Sequence, residues 1–424
     1  MTDPAPISSP RTTKRLRRSI YALTFLCALS LLKSQPCRAQ TFTVLHSFTG
    51  GSDGANPIAG LTLDAAGSLY GTASAGGLFI GECALLNGCG TIFKLKQTTS
   101  GWGFTQLYAF HNLDGSTPIA PVTVAADDTL FGTAGGGEYP CGVFFRLQPP
   151  QNTCKNALCQ WSLSLLYNFS CGYSGDGPGY GSATFDSTGH AYGTTLAGGA
   201  YDNGAIYEMT PQPEGRWLEQ VDYSFRRLSD GGAEPANAVI FDDNGNMYTT
   251  TVSGGQSDCG TVSQFVLAGS GWTENVLYSF TCGDDGEYPY GGLLFDSTGN
   301  LYGTTSEGGG VFELRPSNGG WTYNLLYSFN RCGSWAGVTM DAAGNLYGTA
   351  YDCGAYGYGT VFKLTPSDGG WTYTSLHDFT GGSDGARPTS TVTIDPSGNL
   401  YGTATYGGSS ECSQGCGTVW EITP

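Results

Sequence analysis

One unit, Leu61-Thr62-Leu63-Asp64-Ala65-Ala66-Gly67-Ser68-Leu69-Tyr70-Gly71-Thr72, constrains this chain more than any other feature, because it returns six more times. It recurs as Phe185-Asp186 through Tyr192-Gly193-Thr194 and as Phe241-Asp242 through Tyr248-Thr249-Thr250. Further copies lie at 295–304, 340–349 and 394–403, and a worn one at 124–133 has Phe131 in place of the tyrosine. The tyrosine-equivalent positions are 70, 131, 192, 248, 302, 347 and 401, a period of 45 to 61 residues. Self-similarity at that period is the mark of a repeat architecture. Each copy divides into four short strands. Strand a (Gly60–Asp64 in the first copy) ends in a tight turn, where Gly67 supplies the positive φ a short hairpin needs. Strand b is Leu69–Ala73, followed by a glycine pair such as Gly76-Gly77 and a loop of variable length. Strand c is Gly90–Leu95 and strand d is Gln106–Phe110, after Trp102.

Four strands per unit and seven units define an all-β, seven-bladed β-propeller of four-stranded antiparallel blades. The ends of the chain point to a closed ring. The segment 42–48 reads as a d strand, while 417–422 is a c strand with none after it. Docking the first beside the second completes the last blade and removes two open edges. The a–b turns are short and constant, so their face is structural; the d–a and b–c loops vary and share the other face, where binding residues concentrate on such a scaffold.

Composition supports many short strands: Gly accounts for 67 of 424 residues and aromatics for 13%, an aromatic content that disordered segments lack. Arg11, Lys14, Arg15, Arg17 and Arg18, the apolar run from Ile20 to Leu32 and the Cys37-Arg38-Ala39 stretch form a signal-peptide pattern, with cleavage expected after Ala39. The domains expected are therefore 1–39, a signal peptide, and 40–424, a single propeller. Cleavage leaves 11 basic against 34 acidic residues, a net charge of −23, which repels nucleic acid and anionic membrane surfaces. No transmembrane segment follows, and the mature chain is expected to be an exported monomer: secreted, periplasmic or at the cell surface. The 12 remaining cysteines point to disulfides. Blade topology pairs Cys141 with Cys171 and Cys259 with Cys282. Loop confinement pairs Cys83 with Cys89, Cys412 with Cys416, and Cys154 with Cys159, leaving Cys332 for Cys353.

The candidate chemistry is sparse. An acidic turn marks six of the seven d–a loops, at Asp53, Asp114, Asp176, Asp230, Asp284 and Asp384. Asp before Gly is a turn pair; a carboxylate rim holding Ca²⁺ is the second reading, and no other cofactor is expected. Asp64, Asp186, Asp242, Asp296, Asp341 and Asp395 end strand a, where a carboxylate caps the turn. Tyr70 and its equivalents suit packing between blades. The irregular loop aromatics Tyr139, Tyr180, Tyr288, Tyr290, Trp335, Tyr356 and Tyr406, together with Tyr173, Tyr201, Tyr351 and Tyr358, are the ligand-binding candidates. His46 and His377 replace the tyrosine of strand d, and neither they, His111 nor His190 belongs to a catalytic motif; no catalytic residue is assigned.

The combination of Leu277-Tyr278-Ser279-Phe280, Asp296-x-x-Gly299-Asn300-Leu301-Tyr302-Gly303-Thr304 and Gly359-Thr360-Val361-Phe362-Lys363-Leu364-Thr365-Pro366 resembles the repeat of the choice-of-anchor tandem repeat GloVer-containing proteins, over 42–424. That resemblance implies a bacterial exported repeat protein without an established activity, held at the surface by a C-terminal anchor. The chain ends at Pro424 without a sorting tail, which favours free secretion or periplasmic residence. The expected function is non-enzymatic binding, adhesion or surface scaffolding toward an extracellular glycan or protein. The alternative is a metal-dependent hydrolase or lyase acting on sugars or lactones at the central channel.

Overall fold

The computed structural model describes Met1 and residues 40–150, 160–179, 181–269, 271–330 and 332–424. The signal-peptide pattern, Cys154, Cys159 and Tyr180 lie outside the described residues. Thr41–Thr423 form one compact unit of seven four-stranded antiparallel blades. The first comprises Thr62–Leu63, Leu69–Ala73, Thr91–Thr98 and Gly101–Ala109, paired in that order. The next five repeat it over 123–168, 184–224, 240–279, 294–328 and 339–378. Strand a, beside the central channel, keeps only two ladder residues in every blade, fewer than the five expected. Strands c and d are longer than expected, because the outer hairpin zips to its tip, pairing Thr98 with Gly101 and taking Trp102 into the ladder.

The repeated residues have separable duties. Asp64 Oδ1 accepts the backbone N–H groups of Ala66 and Ser68 at 2.9 and 2.7 Å, and Tyr70 donates its hydroxyl to Oδ2 at 3.2 Å. Asp242, Asp296, Asp341 and Asp395 hold their turns the same way. Gly71 lies under the Phe93 ring of strand c, where an added Cβ would sit 2.5 Å from the ring. The fourth blade changes both partners at once: Thr249 replaces the glycine and faces Ser263 instead of an aromatic. A larger residue on one strand is matched by a smaller one opposite, as close packing requires.

Threonine ties each blade to the next. The Thr after Gly71, Thr72, donates to Ala120 O at 3.2 Å, and Thr194, Thr250, Thr304 and Thr349 repeat the bond to the following blade at 2.7–3.2 Å. A second set springs from strand a, where Thr62 reaches Val122 O at 2.6 Å and Thr123, Thr184 and Thr339 follow suit. The ring closes through the same bonds: Thr403 donates to Ala59 O at 3.0 Å and Thr393 to Leu61 O at 2.6 Å. The seventh blade is completed as expected, by Thr41–Ser47 pairing antiparallel with Thr418–Thr423.

Both outer seams of that closing blade carry a histidine. His377 stacks on Phe42 with ring centres 3.6 Å apart, and His46 stacks on Phe104 at 3.9 Å. Tyrosines occupy the corresponding place in Tyr278–Tyr323 and Tyr327–Tyr373. Burial holds both imidazoles below their ordinary pKa, outweighing the raising effect of Asp53 on His46 and of Asp384 and Asp378 on His377. The fold therefore favours neutral rings, a contribution present above the unfolded pKa and lost as pH falls through the lower folded value. The double variant His46→Tyr/His377→Tyr should lose less melting temperature than wild type between about pH 7.5 and about pH 5.5; equal losses would contradict the assignment.

Candidate functional site

Each loop entering a blade is fixed by its neighbour. In the seventh blade Ala386 bridges to Tyr406, and Arg387, next in the chain, adopts a left-handed φ of 54°. That conformation aims its N–H at Tyr358 O of the preceding blade, 2.6 Å away. Pro388 then lies over Gly359, where an added Cβ would come within 2.3 Å of its ring. Asn56-Pro57, Thr117-Pro118, Gly177-Pro178, Glu234-Pro235 and Tyr288-Pro289 repeat the arrangement, with φ between 47° and 68° at the first residue and its N–H on the preceding blade. These X-Pro pairs were visible in the sequence as a recurring dipeptide ahead of strand a, and the repeat motif alone gave them no role.

Shortly after these positions the chain reaches the central channel. On this inner ring the blades present, in order, Ile58, Ile119, Gly181 with Ser182, Asn237 with Ala238, Tyr290, Trp335 and Thr389. A cavity of about 720 Å³ opens among them, bordered by Ile58, Ile119, Tyr290, Trp335 and Thr389 and by Tyr351 and Tyr406. The ring is lopsided. Among the described residues the third and fourth blades contribute Gly181, Ser182, Asn237 and Ala238, while the fifth and sixth place large aromatics side by side. Tyr290 and Trp335 stack with centres 5.0 Å apart and planes 5° from parallel; Tyr351 continues the stack at 5.5 Å. Trp335 is 41% exposed. The backbone beneath is tied down: Asn237 donates to Tyr290 O at 2.8 Å, and Ser334 donates to Thr349 O at 2.6 Å. The strand-a hydroxyls of Thr62, Thr339 and Thr393 already donate to neighbouring blades. Among the described residues the mouth offers a ligand an aromatic shelf beside the smaller residues of the third and fourth blades, with Ile58 and Ile119 also on the border. Such a shelf takes the C–H face of a ring, with polar groups at the edge fixing orientation.

Of the loop aromatics singled out above, Tyr290, Trp335, Tyr351 and Tyr406 border the cavity. Tyr288 precedes them at a left-handed position. Tyr139, Tyr173, Tyr201, Tyr356 and Tyr358 are exposed on other loops, away from the cavity border.

The acidic rim divides by register. Asp53 accepts from Thr49 N and Oγ1 and faces His46 Nε2 at 3.1 Å. Asp384 does the same with Thr380 and His377, and Asp114 with His111 and Tyr108. In the fifth blade Asp285, rather than Asp284, fills this place, accepting from Tyr278 and Thr281. In the third, Ser174 fills it through Ser170 N, so Asp176 is out of register by two. Gly231 takes it in the fourth, displacing Asp230 by one. These side chains each serve their own loop, and the cavity border holds no Asp, Glu or His among the described residues. The two described groups with metal-ligand spacing, Cys259–Cys282–Glu287 and Cys332–Asp352–Cys353, both draw on cysteines joined as disulfides. The most displaced carboxylate, Asp222, is pushed up to about 6 chiefly by burial, on the outermost strand of the third blade, Trp217–Ser224.

A family model described as the Gloeobacter/Verrucomicrobia repeat matches residues 31–162, 155–337 and 309–424. No curated protein matches the sequence. Among solved structures the chain is similar to a polysaccharide lyase, ulvan lyase of family PL25, at 11% identity and TM-score 0.50, covering 87% of this chain and 90% of that one. It is also similar to a gluconolactonase from Xanthomonas campestris at 13% identity and TM-score 0.42, covering 81% and 93%. A third is PorZ, a surface component of the type-IX secretion system of Porphyromonas gingivalis, at 14% identity and TM-score 0.46, covering 85% of this chain and 46% of that one. At these identities the likeness is one of fold.

Five disulfides join Cys83–Cys89, Cys141–Cys171, Cys259–Cys282, Cys332–Cys353 and Cys412–Cys416, as the sequence pairs them. Cys332–Cys353 brackets the shelf: Cys332 lies just before Trp335 and Cys353 just after Tyr351. Replacing both with serine should cost about 2–4 kcal/mol, read as a lower urea midpoint; an unchanged midpoint would show that the bond does not restrain this loop pair.

Proposed function

The chain belongs to the Gloeobacter/Verrucomicrobia repeat family, and we propose that it is an exported binding propeller that holds a carbohydrate across the mouth of its central channel. The observation that carries this reading is the break in the ring's equivalence. Seven blades built on one pattern differ where Tyr290 and Trp335 stand adjacent and stacked over the cavity. Aromatic rings held rigid by backbone bonds present large contact area at small entropic cost, and a pyranose offers the flat C–H face that matches them. Disulfides support residence in an oxidising compartment. The alternative, metal-assisted hydrolysis or elimination at the channel, calls for converging carboxylates or histidines, and the residues bordering the cavity supply none among those described.

Binding of the whole chain to a broad oligosaccharide panel tests the proposal. Trp335→Ala and Tyr290→Ala should each weaken the best ligand tenfold or more, about 1.4 kcal/mol, without lowering the melting temperature. No carbohydrate binding, or binding indifferent to both substitutions, would refute it.

A further inference from the structure

A guanidinium stands at the edge of the aromatic shelf. Arg387 places its charge over the Tyr351 ring, 5.1 Å from the centre, and donates Nη1–H to Tyr351 Oη at 3.0 Å. Tyr351 in turn stacks on Trp335, so Tyr290, Trp335, Tyr351 and Arg387 form one continuous strip. That hydrogen bond is the largest factor raising the arginine above its ordinary pKa, and the residue is exposed. No ion pair among the described residues includes it; Asp352 acts on it only through space. Arg227 shows the contrast. Also exposed, it is bonded to Asp258 through Nε at 2.9 Å and through Nη2, and it lies 3.4 Å from Glu234.

The backbone position of Arg387 is one that the ring repeats. The left-handed residue of each X-Pro pair latches blades through its N–H, and Gly177 performs that duty without a side chain, while Asn56 adds an Nδ2–H bond to Thr405 O at 3.1 Å. A non-glycine residue there costs of order 1 kcal/mol of backbone strain. Asn56, Thr117, Glu234 and Tyr288 accept the same strain, so it belongs to the latch; what sets Arg387 apart is a guanidinium that the latch does not use. The guanidinium keeps most of its five donors in a fork that matches a carboxylate or sulfate oxygen pair. The chain as a whole is strongly acidic and repels anions at long range, so binding of an anion depends on this local cation.

We propose that the channel mouth selects anionic saccharides, with a sugar ring laid on Trp335 and its carboxylate or sulfate held by Arg387. This inference rests on the carbohydrate reading above and adds the charge of the ligand and the residue that reads it.

The test uses the intact, disulfide-bonded chain and titrates oligogalacturonate, oligoalginate and oligoglucuronate, each beside its carboxyl-reduced neutral counterpart, at fixed salt. At least one uronate should bind about tenfold more tightly than its neutral counterpart. Arg387→Gln should abolish that preference and leave the neutral affinity within about twofold, whereas Trp335→Ala should weaken both. Neutral forms binding as well as the uronates, or a preference that survives Arg387→Gln, would overturn the selectivity and leave the carbohydrate reading standing. If no member of either set binds, the selectivity falls, and the broad panel above decides the carbohydrate reading by itself.

Discussion

The ring depends on a hydroxyl-to-carbonyl bond between blades. The threonine of the Tyr-Gly-Thr unit donates to the chain entering the next blade in six seams, from Thr72 on Ala120 to Thr403 on Ala59. Each such bond is worth only about 0.5–1.5 kcal/mol net, but leaving a buried hydroxyl or carbonyl unpaired costs more, which makes neighbouring blades mutually obligatory. The backbone of the X-Pro residues adds a second tie at the channel face, and proline on glycine sets the spacing. Closure follows from the same chemistry. The seventh blade meets the first through Thr393, Thr403 and the N–H of Asn56, which donates to Cys416 O at 2.8 Å, so the seam that holds the two ends of the chain together has the same bonds as those within it.

A frame this regular turns every irregularity into information. In the fourth blade Thr249 and Ser263 stand where glycine and an aromatic stand elsewhere, and the change is absorbed locally: Glu274 accepts from Ser263 Oγ at 2.7 Å, from Gly232 N at 3.0 Å and from Tyr223 at 2.9 Å. That irregularity repairs itself, and it serves packing. At the inner ring, Tyr290 and Trp335 instead break the symmetry at the border of an open cavity. An irregularity compensated inside the protein serves packing, whereas one at the border of a cavity marks a candidate site.

Much of this molecule is legible in one dimension, for a physical reason: blade number, strand order, turn chemistry and disulfide pairing depend on local spacing that the repeat states seven times over. Asp64 and its equivalents cap the turns their x-x-Gly contexts describe, and the segment 42–48 supplies the missing strand. The loops are another matter. Asp176, Asp230 and Asp284 look like members of an acidic ring until the register of X-Pro separates them from Asp53, Asp114, Asp285 and Asp384, because the side chain that reaches a given place is set by hydrogen bonding to a neighbouring blade. Likewise the sequence offers Tyr139 and Tyr356 as readily as Tyr290 and Trp335. Only the ring, which brings residues 58, 119, 290, 335 and 389 around one cavity, decides which aromatics border it and puts Arg387 at their edge, since those neighbours lie a blade or more apart in the chain and meet only once the circle is closed.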